Sequence, residues 1–465
     1  AAQTMTTRTV HIKCFGCQMN KLDSSLMASA LQKRGFKLVE KPAEADAVVI
    51  NTCSVRQHAE ARVFSHLGHL KHLKKTRPGM IIAITGCMAQ RLGQSLLAND
   101  TIDIVVGPHQ IPHMPDMLIA ALENGKRTIA VTDHIRKPDD QTALERLDTF
   151  EIAHDSDKNH IKSQAYVRIM RGCNNFCSYC IVPYVRGPEI SRPPQAIMEQ
   201  IRKLADQGIQ QITLLGQTVN SYAYRAGNRT CTLADLLQMA SETKGIRWLR
   251  FVTSHPGKFD DSILQAMAKL PKVCPYLHIP AQSGSDRILA AMNRGYTAGQ
   301  YLDLLAKTRE IVPEIAIAGD FIVGFPGETD EDFAATADLV RAARYKNIFV
   351  FKYSPRPGTR ADERLADSVP LDVKQQRNHE LLALQNEIAA DCSRRFLNRT
   401  VEVLVEGLSK KPHLNNPEST GQPQLVGRTA TDYIVVFNGP ESLTGQFINV
   451  RITKTSALTL FGEHV

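Results

Sequence analysis

Arg171-Gly172-Cys173-Asn174-Asn175-Phe176-Cys177-Ser178-Tyr179-Cys180 stands directly behind an apolar run, Ala165–Met170, that reads as a strand. The spacing of its thiols is CxxxCxxC. Three thiolates can hold three irons of a cubane cluster and leave the fourth iron open. An open iron can take the amino and carboxylate groups of a ligand and pass an electron into a coordinated sulfonium. A zinc site asks for four ligands, usually as CxxC pairs. Here there are three thiols at uneven spacing and no nearby histidine. A chance cluster of buried cysteines is the remaining alternative.

Outward from this segment the chain reads as a series of β/α units. Strands are expected at Ala165–Met170, Gln211–Leu215, Trp248–Thr253, Tyr276–Ile279, Ala316–Val323 and Ile348–Tyr353. Helices fit between them, at Pro194–Gln207, Leu233–Glu242, Asp260–Leu270, Asp286–Met292 with Ala298–Ile311, and Glu331–Arg344, and a long helix, Asp372–Phe396, closes the set. Six units suggest a barrel, complete or partial, and spacing alone does not separate it from an open sheet. Upstream, Thr9–Phe15, Ala47–Thr52, Met80–Thr85 and Ile102–Val106 alternate with helical stretches such as Asp23–Arg34 and Val55–Arg77. Short apolar strands alternating with helices imply a doubly wound parallel sheet. Between Asp133 and Ser163 apolar periodicity is lost, which reads as a linker. Downstream, Val401–Val405, Leu425–Thr429, Tyr433–Phe437 and Phe447–Thr453 are short alternating strands with Gly and Pro between them, the pattern of a small β-barrel. The expected class is therefore α/β multidomain: 8–130 a doubly wound sheet, 131–163 a linker, 164–396 a partial (β/α)6 barrel, and 397–465 a small β-barrel.

Composition agrees with a soluble multidomain chain: 465 residues, 43% hydrophobic and 22% charged. The net charge of +9 suits a polyanionic partner without requiring one. No run approaches the ~18 apolar residues of a membrane helix. The opening AAQTMTTRTV has no apolar signal-peptide core. A cytoplasmic protein is expected, whose ten cysteines serve metal or thiol chemistry rather than disulfides. Cys14, Cys231, Cys274 and Cys392 have no pattern around them and read as small buried hydrophobes. The histidines His58, His66, His69 and His72 share one helix, where spacing alone brings side chains near one another.

Cys17, Cys53 and Cys87 form a second set. Each is expected at the carboxyl end of a strand in the first domain, within GCQMN, NTCSVR and TGCMAQ. In an open parallel sheet ligands bind outside those ends. Helix N-termini opening there favour thiolate charge. The plainer alternative is three unrelated buried thiols.

The CxxxCxxC segment resembles the signature of the radical S-adenosylmethionine (SAM) superfamily. Leu214-Leu215-Gly216-Gln217, His278-Ile279-Pro280-Ala281-Gln282-Ser283-Gly284-Ser285 and Gly319-Asp320-Phe321-Ile322-Val323-Gly324-Phe325-Pro326-Gly327-Glu328 resemble that superfamily's SAM-contacting segments. Taken with the three N-terminal motifs and Gly216-Gln217-Thr218-Val219-Asn220-Ser221-Tyr222, nearly the whole chain resembles the methylthiotransferases. Gln-Met-Asn after Cys17 resembles the branch acting on isopentenyladenosine in tRNA. The resemblance implies an N-terminal methylthiotransferase domain, a radical SAM domain and a C-terminal TRAM domain. It implies two [4Fe-4S] clusters, an auxiliary one on Cys17, Cys53 and Cys87 and a SAM-binding one on Cys173, Cys177 and Cys180. It implies SAM contacts at Gly216, Gln217, Gln282, Ser283 and Gly324. Two SAM molecules would be used, and the methylthio group would go to C2 of an adenine in the tRNA anticodon loop. An electron donor such as flavodoxin or ferredoxin and a sulfur donor are implied partners, no membrane is, and a monomer is expected. The TRAM-like region has six basic against six acidic residues, counting Lys411 and Glu418, so its charge alone says little about RNA. The basic excess lies elsewhere, including Arg56, Arg62, Lys71, Lys74, Lys75 and Arg77. Sibling activities, on threonylcarbamoyladenosine or a ribosomal protein, remain alternatives, as does a non-catalytic iron–sulfur RNA-binding protein.

Overall fold

The computed structural model describes residues 7–54, 57–131, 141–154, 163–410 and 421–465. Val55, Arg56, the side chain of His58, residues 132–140 and 155–162 of the expected linker, Lys411 and Glu418 lie outside the described residues. The chain forms two compact units. The first takes the described residues of 1–157, 166–174 and 180–200; the second takes those of 158–165, 175–179 and 201–465.

In the first unit AVVINT (Ala47–Thr52) and IIAITG (Ile81–Gly86) are buried at every position. Such strands are stable only when both faces of a sheet are covered, which is the parallel case. Six strands run parallel in the order Lys37–Leu38, Thr9–Phe15, Ala47–Thr52, Ile81–Gly86, Ile104–Val106, Thr128–Ala130. The order reverses between Thr9–Phe15 and Ala47–Thr52, so a crevice opens at their carboxyl ends. Helix Gln57–Thr76 lays Val63, Leu67 and Leu70 on the sheet, spaced as one helical stripe. Each such buried side chain contributes roughly 1.5–3 kcal/mol.

Several features depart from expectation: the edge strands Lys37–Leu38 and Thr128–Ala130 were not among the four expected here. Helix Gln18–Lys33 begins five residues before Asp23, because Cys17, with extended backbone, is its N-cap. A helix, Gln141–His154, stands within the stretch expected to be a linker. Its inner face mixes Leu147 and Phe150 with the buried carboxylates Asp148 and Glu151, which dilutes the apolar period.

In the second unit Gln211–Leu215 pairs in parallel with Trp248–Phe251. Tyr276–His278, Ala316–Val323 and Asn347–Lys352 form a second parallel sheet. The intervening helices start where hydroxyl and carboxylate caps say they should: Thr232, Thr297 and Thr329 each make a reciprocal capping box, and Asp260 and Ser285 cap by side chain. Leu371–Arg394 is the long closing helix. The C-terminal residues form a closed five-stranded barrel ordered Thr400–Leu408, Gln424–Thr429, Ile434–Asn438, Thr459–His464, Phe447–Thr455. Its last strand, Thr459–His464, was not among the expected four; it pairs in parallel with Ile434–Asn438 and closes the barrel. Val403, Val405, Leu425, Val435, Val450, Ile452 and Leu460 fill the interior. Among the described residues no helix is long and apolar enough to cross a membrane.

Candidate functional site

Cys17, Cys53 and Cys87 leave the carboxyl ends of three neighbouring strands, with Cys17 and Cys53 flanking the point where strand order reverses. The three N-terminal motifs are knitted together by their own polar residues. Asn20, fully buried, donates to Asn51 Oδ1 (2.9 Å) and to the Thr52 carbonyl (3.0 Å). Asn51 Nδ2 returns a hydrogen bond to the Asn20 carbonyl (2.8 Å) and reaches Ser24 Oγ (3.0 Å). The Thr52 hydroxyl donates to the Thr85 carbonyl (2.8 Å). Gly86 has φ +96°, and a Cβ there would stand 2.3 Å from the Thr52 carbonyl oxygen. Glycine is thus required where the third motif passes the second. The outcome is a turn that presents each thiol from a fixed backbone.

The electrostatics favour thiolate charge at one of the three. A hydrogen bond with Cys53 brings Cys17 down to about 5, against the opposing effect of burial, with help from the Arg186 charge and backbone N–H groups at Asn20 and Met19. In its protonated form the Cys17 thiol donates to Asn20 Oδ1 (3.3 Å). Burial pushes Cys87 upward, opposed by Arg186. Arg186 Nε lies 3.2 Å from Cys87 Sγ, and its terminal nitrogen lies 3.3 Å from Asp23 Oδ2. Around Arg186 is a buried ionic cluster. Arg168 pairs with Asp23 and Glu151, Arg171 with Asp148 and Glu151, and Arg192 with the same two carboxylates. Among the described residues, four guanidiniums thus face three carboxylates in the interior of the first unit.

The CxxxCxxC loop follows the short strand Met170–Arg171, which pairs antiparallel with Ile190–Ser191. Gly172 has φ +72°, and a Cβ there would fall 1.8 Å from the Pro188 carbonyl oxygen. The Cys173 amide donates to the Gly187 carbonyl (3.1 Å). Asn293 donates to the carbonyls of Asn175 (3.3 Å) and Phe176 (3.0 Å), and the Ser178 amide donates to Met292 (2.9 Å). Buried Arg294 places a terminal nitrogen 3.3 Å from Cys177 Sγ and is anchored by the Tyr296 hydroxyl (3.0 Å) and the Pro280 carbonyl (2.9 Å). Cys173 and Cys177 are buried and Cys180 is half-buried.

The expected SAM-contacting residues lie at or just past strand ends of the second unit. Gly216 follows Gln211–Leu215, and the neighbouring Gln217 has its Oε1 buried without a protein partner. Gln282 adopts φ +72° and bridges Phe321: its amide donates to the Asp320 carbonyl (2.8 Å) and its carbonyl accepts from Ile322 (2.9 Å). The Ser283 hydroxyl is taken up inside the fold by Thr336 Oγ1 (3.2 Å) and the Ser285 amide (3.2 Å). The Gly324 amide donates to Glu328 (2.8 Å), itself paired with Arg377.

Among the described residues no three His, Cys, Asp or Glu side chains are placed to share a single metal ion. A cubane makes a different demand, since it spreads its thiolates over separate irons. Strand-end thiols with a guanidinium beside them fit such a group. Asn20, Asp23, Arg186 and Arg294 were not recognised from the sequence. The only signal for them was indirect: Asn20 sits inside GCQMN, and four arginines flank CxxxCxxC.

Residues 9–107 match the Uncharacterized protein family UPF0004, residues 167–340 the Radical SAM superfamily and residues 394–465 the TRAM domain. Among solved structures, the radical SAM methyltransferase TsrM from Kitasatospora setae, with tryptophan and a SAM analogue bound, has a TM-score of 0.52 at 15% identity, over 74% of this chain and 73% of that one. The fold and the loop therefore define a radical SAM protein with a TRAM domain, a class that implies SAM and a [4Fe-4S] cluster. The tRNA-2-methylthio-N(6)-dimethylallyladenosine synthase of Rhodopirellula baltica is 43% identical over 98% of this chain and 95% of its own. Those of Porphyromonas gingivalis and Bacteroides thetaiotaomicron are 40% and 42% identical, over 100% and 98% of this chain and 96% and 95% of their own. The chain belongs to this synthase family.

Proposed function

We propose that this radical SAM enzyme transfers a methylthio group to C2 of N6-isopentenyladenosine (dimethylallyladenosine) beside the anticodon of tRNA. The observation that carries this reading is the placement of Cys17, Cys53 and Cys87 at the carboxyl ends of three neighbouring strands of one sheet, in a chain that also bears CxxxCxxC. Cys173, Cys177 and Cys180 would hold the SAM-binding [4Fe-4S] cluster, and Cys17, Cys53 and Cys87 a second, auxiliary one. When bound, these groups and two SAM molecules supply the sulfur, the methyl group and the one-electron chemistry that an unactivated C–H bond requires. An adenine C2–H has no acidic proton for a general base to remove.

The chain's own part is positioning and exclusion of water. Asn20 and Asn51 hold the turn that aims Cys17, and Arg186 supplies positive charge beside Cys87. Gly216, Gln217, Gln282, Ser283 and Gly324 line the SAM site in this reading. Ser283 serves through its backbone, since its hydroxyl is engaged internally. The Gln217 oxygen, buried without a partner among the described residues, would accept from a ligand's N–H in this reading. The domains are 8–130, 164–396 and 397–465, joined through 131–163. A loop base can be splayed out of its stack at small cost, which suits an anticodon-loop substrate. Flavodoxin or ferredoxin would supply electrons and a separate donor the sulfur, to a monomeric enzyme in the cytoplasm.

The test is mass spectrometry of tRNA nucleosides from a strain lacking the gene. The methylthio nucleoside is expected to vanish while isopentenyladenosine accumulates, with rescue by the wild-type chain and not by Cys53→Ala. An unchanged nucleoside profile would move the substrate to that of a sibling enzyme.

A further inference from the structure

Among the described residues, the buried ionic cluster of the first unit has four guanidiniums and three carboxylates. Arg168, Arg171 and Arg192 are each met by two carboxylate partners drawn from Asp23, Asp148 and Glu151. Among the described residues Arg186 has one carboxylate partner, Asp23, which it shares at 3.3 Å, and it turns its Nε to Cys87 Sγ at 3.2 Å. An isolated buried cation is costly unless an anion compensates it. The surplus charge therefore lies where sulfur must be anionic. The surroundings hold it there: Cys87 packs with Ile181, Val185 and Tyr184, which share the helical turn that presents Arg186. His109 adds no charge, since burial and then the neighbouring arginines hold it down at about 4.

We infer that Arg186 is a positioning residue of the auxiliary centre: its guanidinium donates to the Cys87 sulfur and sets the reduction potential of the cluster held there. This rests on the proposed auxiliary cluster. Iron–sulfur potentials depend on hydrogen bonds to the cysteine sulfurs and on nearby charge. A donor and a positive charge at Cys87 favour the more negative, reduced state. Removing them moves the potential downward. Arg186 is six residues beyond Cys180, so the peptide that forms the SAM-binding loop also sets the electronics of the other centre.

The experiment uses the full chain with Cys173, Cys177 and Cys180 all replaced by Ala, so that iron reports the auxiliary site alone. Iron and sulfide per chain and the midpoint potential, from a mediated reductive titration followed by electron paramagnetic resonance, are measured with Arg186, Arg186→Lys and Arg186→Met. At the wild-type midpoint the ratio of reduced to oxidised cluster is expected to fall at least tenfold in the Met variant, which is a shift of about 59 mV for a one-electron couple. The Lys variant, which keeps charge without the fork, should fall between. A merely structural arginine would alter iron content and leave the midpoint of the loaded fraction in place, and that result overturns the inference. If the Met variant retains no iron, the Lys variant decides by the same criterion. If the background chain with Arg186 intact holds no iron, the auxiliary-cluster reading itself falls.

Discussion

Replacing Glu151 by glutamine removes one negative charge from the interior of the first unit while leaving shape and acceptor oxygen nearly intact. Glu151 is 1% exposed and meets Arg168 Nη1 at 3.2 Å, Arg171 Nη2 at 2.6 Å and Arg192 Nη1 at 3.3 Å. Burial alone would raise its pKa, but the three guanidiniums overcome this and hold it down from 4.5 to about 2. That displacement corresponds to about 3 kcal/mol of stability at neutral pH. Breaking a buried ion pair from one side costs about 3–5 kcal/mol, so the two routes agree. Against a total of roughly 5–15 kcal/mol, this is a large loss. The sign with pH follows from the depressed folded-state pKa. The contribution is complete above about 4.5, the unfolded value, and is lost as pH falls through about 2. Denaturant unfolding should be followed by far-ultraviolet circular dichroism, because the single tryptophan, Trp248, belongs to the second unit. Hydrogen exchange in peptides from 141–154 and 166–200 would localise the loss. A Glu151→Gln chain within about 0.5 kcal/mol of wild type, the range of an ordinary surface change, would refute the electrostatic account.

Three further outcomes follow from the same geometry. Gly86→Ala should cost at least about 1–3 kcal/mol from backbone strain, and should empty the auxiliary site by pushing Thr52 aside; unchanged iron per chain would contradict it. Asn20→Ala strips two buried acceptors of their donor, at about 1–3 kcal/mol. Iron should then fall from about eight toward about four per chain, with SAM cleavage retained, and loss of both together would contradict two independent centres. Affinity for tRNA should decline linearly with salt on logarithmic axes; a flat line would remove electrostatics from recognition.

Strand positions were largely legible because short apolar runs between Gly, Pro and capping residues leave few alternatives. Ala47–Thr52 and Ala316–Val323 appear with the bounds expected of them. The strand-end location of the six cysteines followed from those strands. What the sequence hid was of two kinds. Gln141–His154 and Thr459–His464 lack a clean period, the first because its inner face carries carboxylates and the second because Gly462 and Glu463 interrupt it. Arg186 and Arg294 reach sulfur over separations of 99 and 117 residues, and no local pattern encodes such contacts. The Ser283 hydroxyl gave no sign of being engaged, because its partner, Thr336, is 53 residues away in sequence.

The ionic cluster also bears on heredity. Its carboxylates come from Asp23, Asp148 and Glu151, and its guanidiniums from Arg168, Arg171, Arg186 and Arg192. A crossover between relatives anywhere in 155–163 would bring together acids from one parent and bases from the other. A gene fragment ending there would strand three buried carboxylates with no counter-charge. A chimera that keeps every one of these pairs from a single parent must place its junctions outside residues 23–192, a span that holds Cys53, Cys87 and the CxxxCxxC segment.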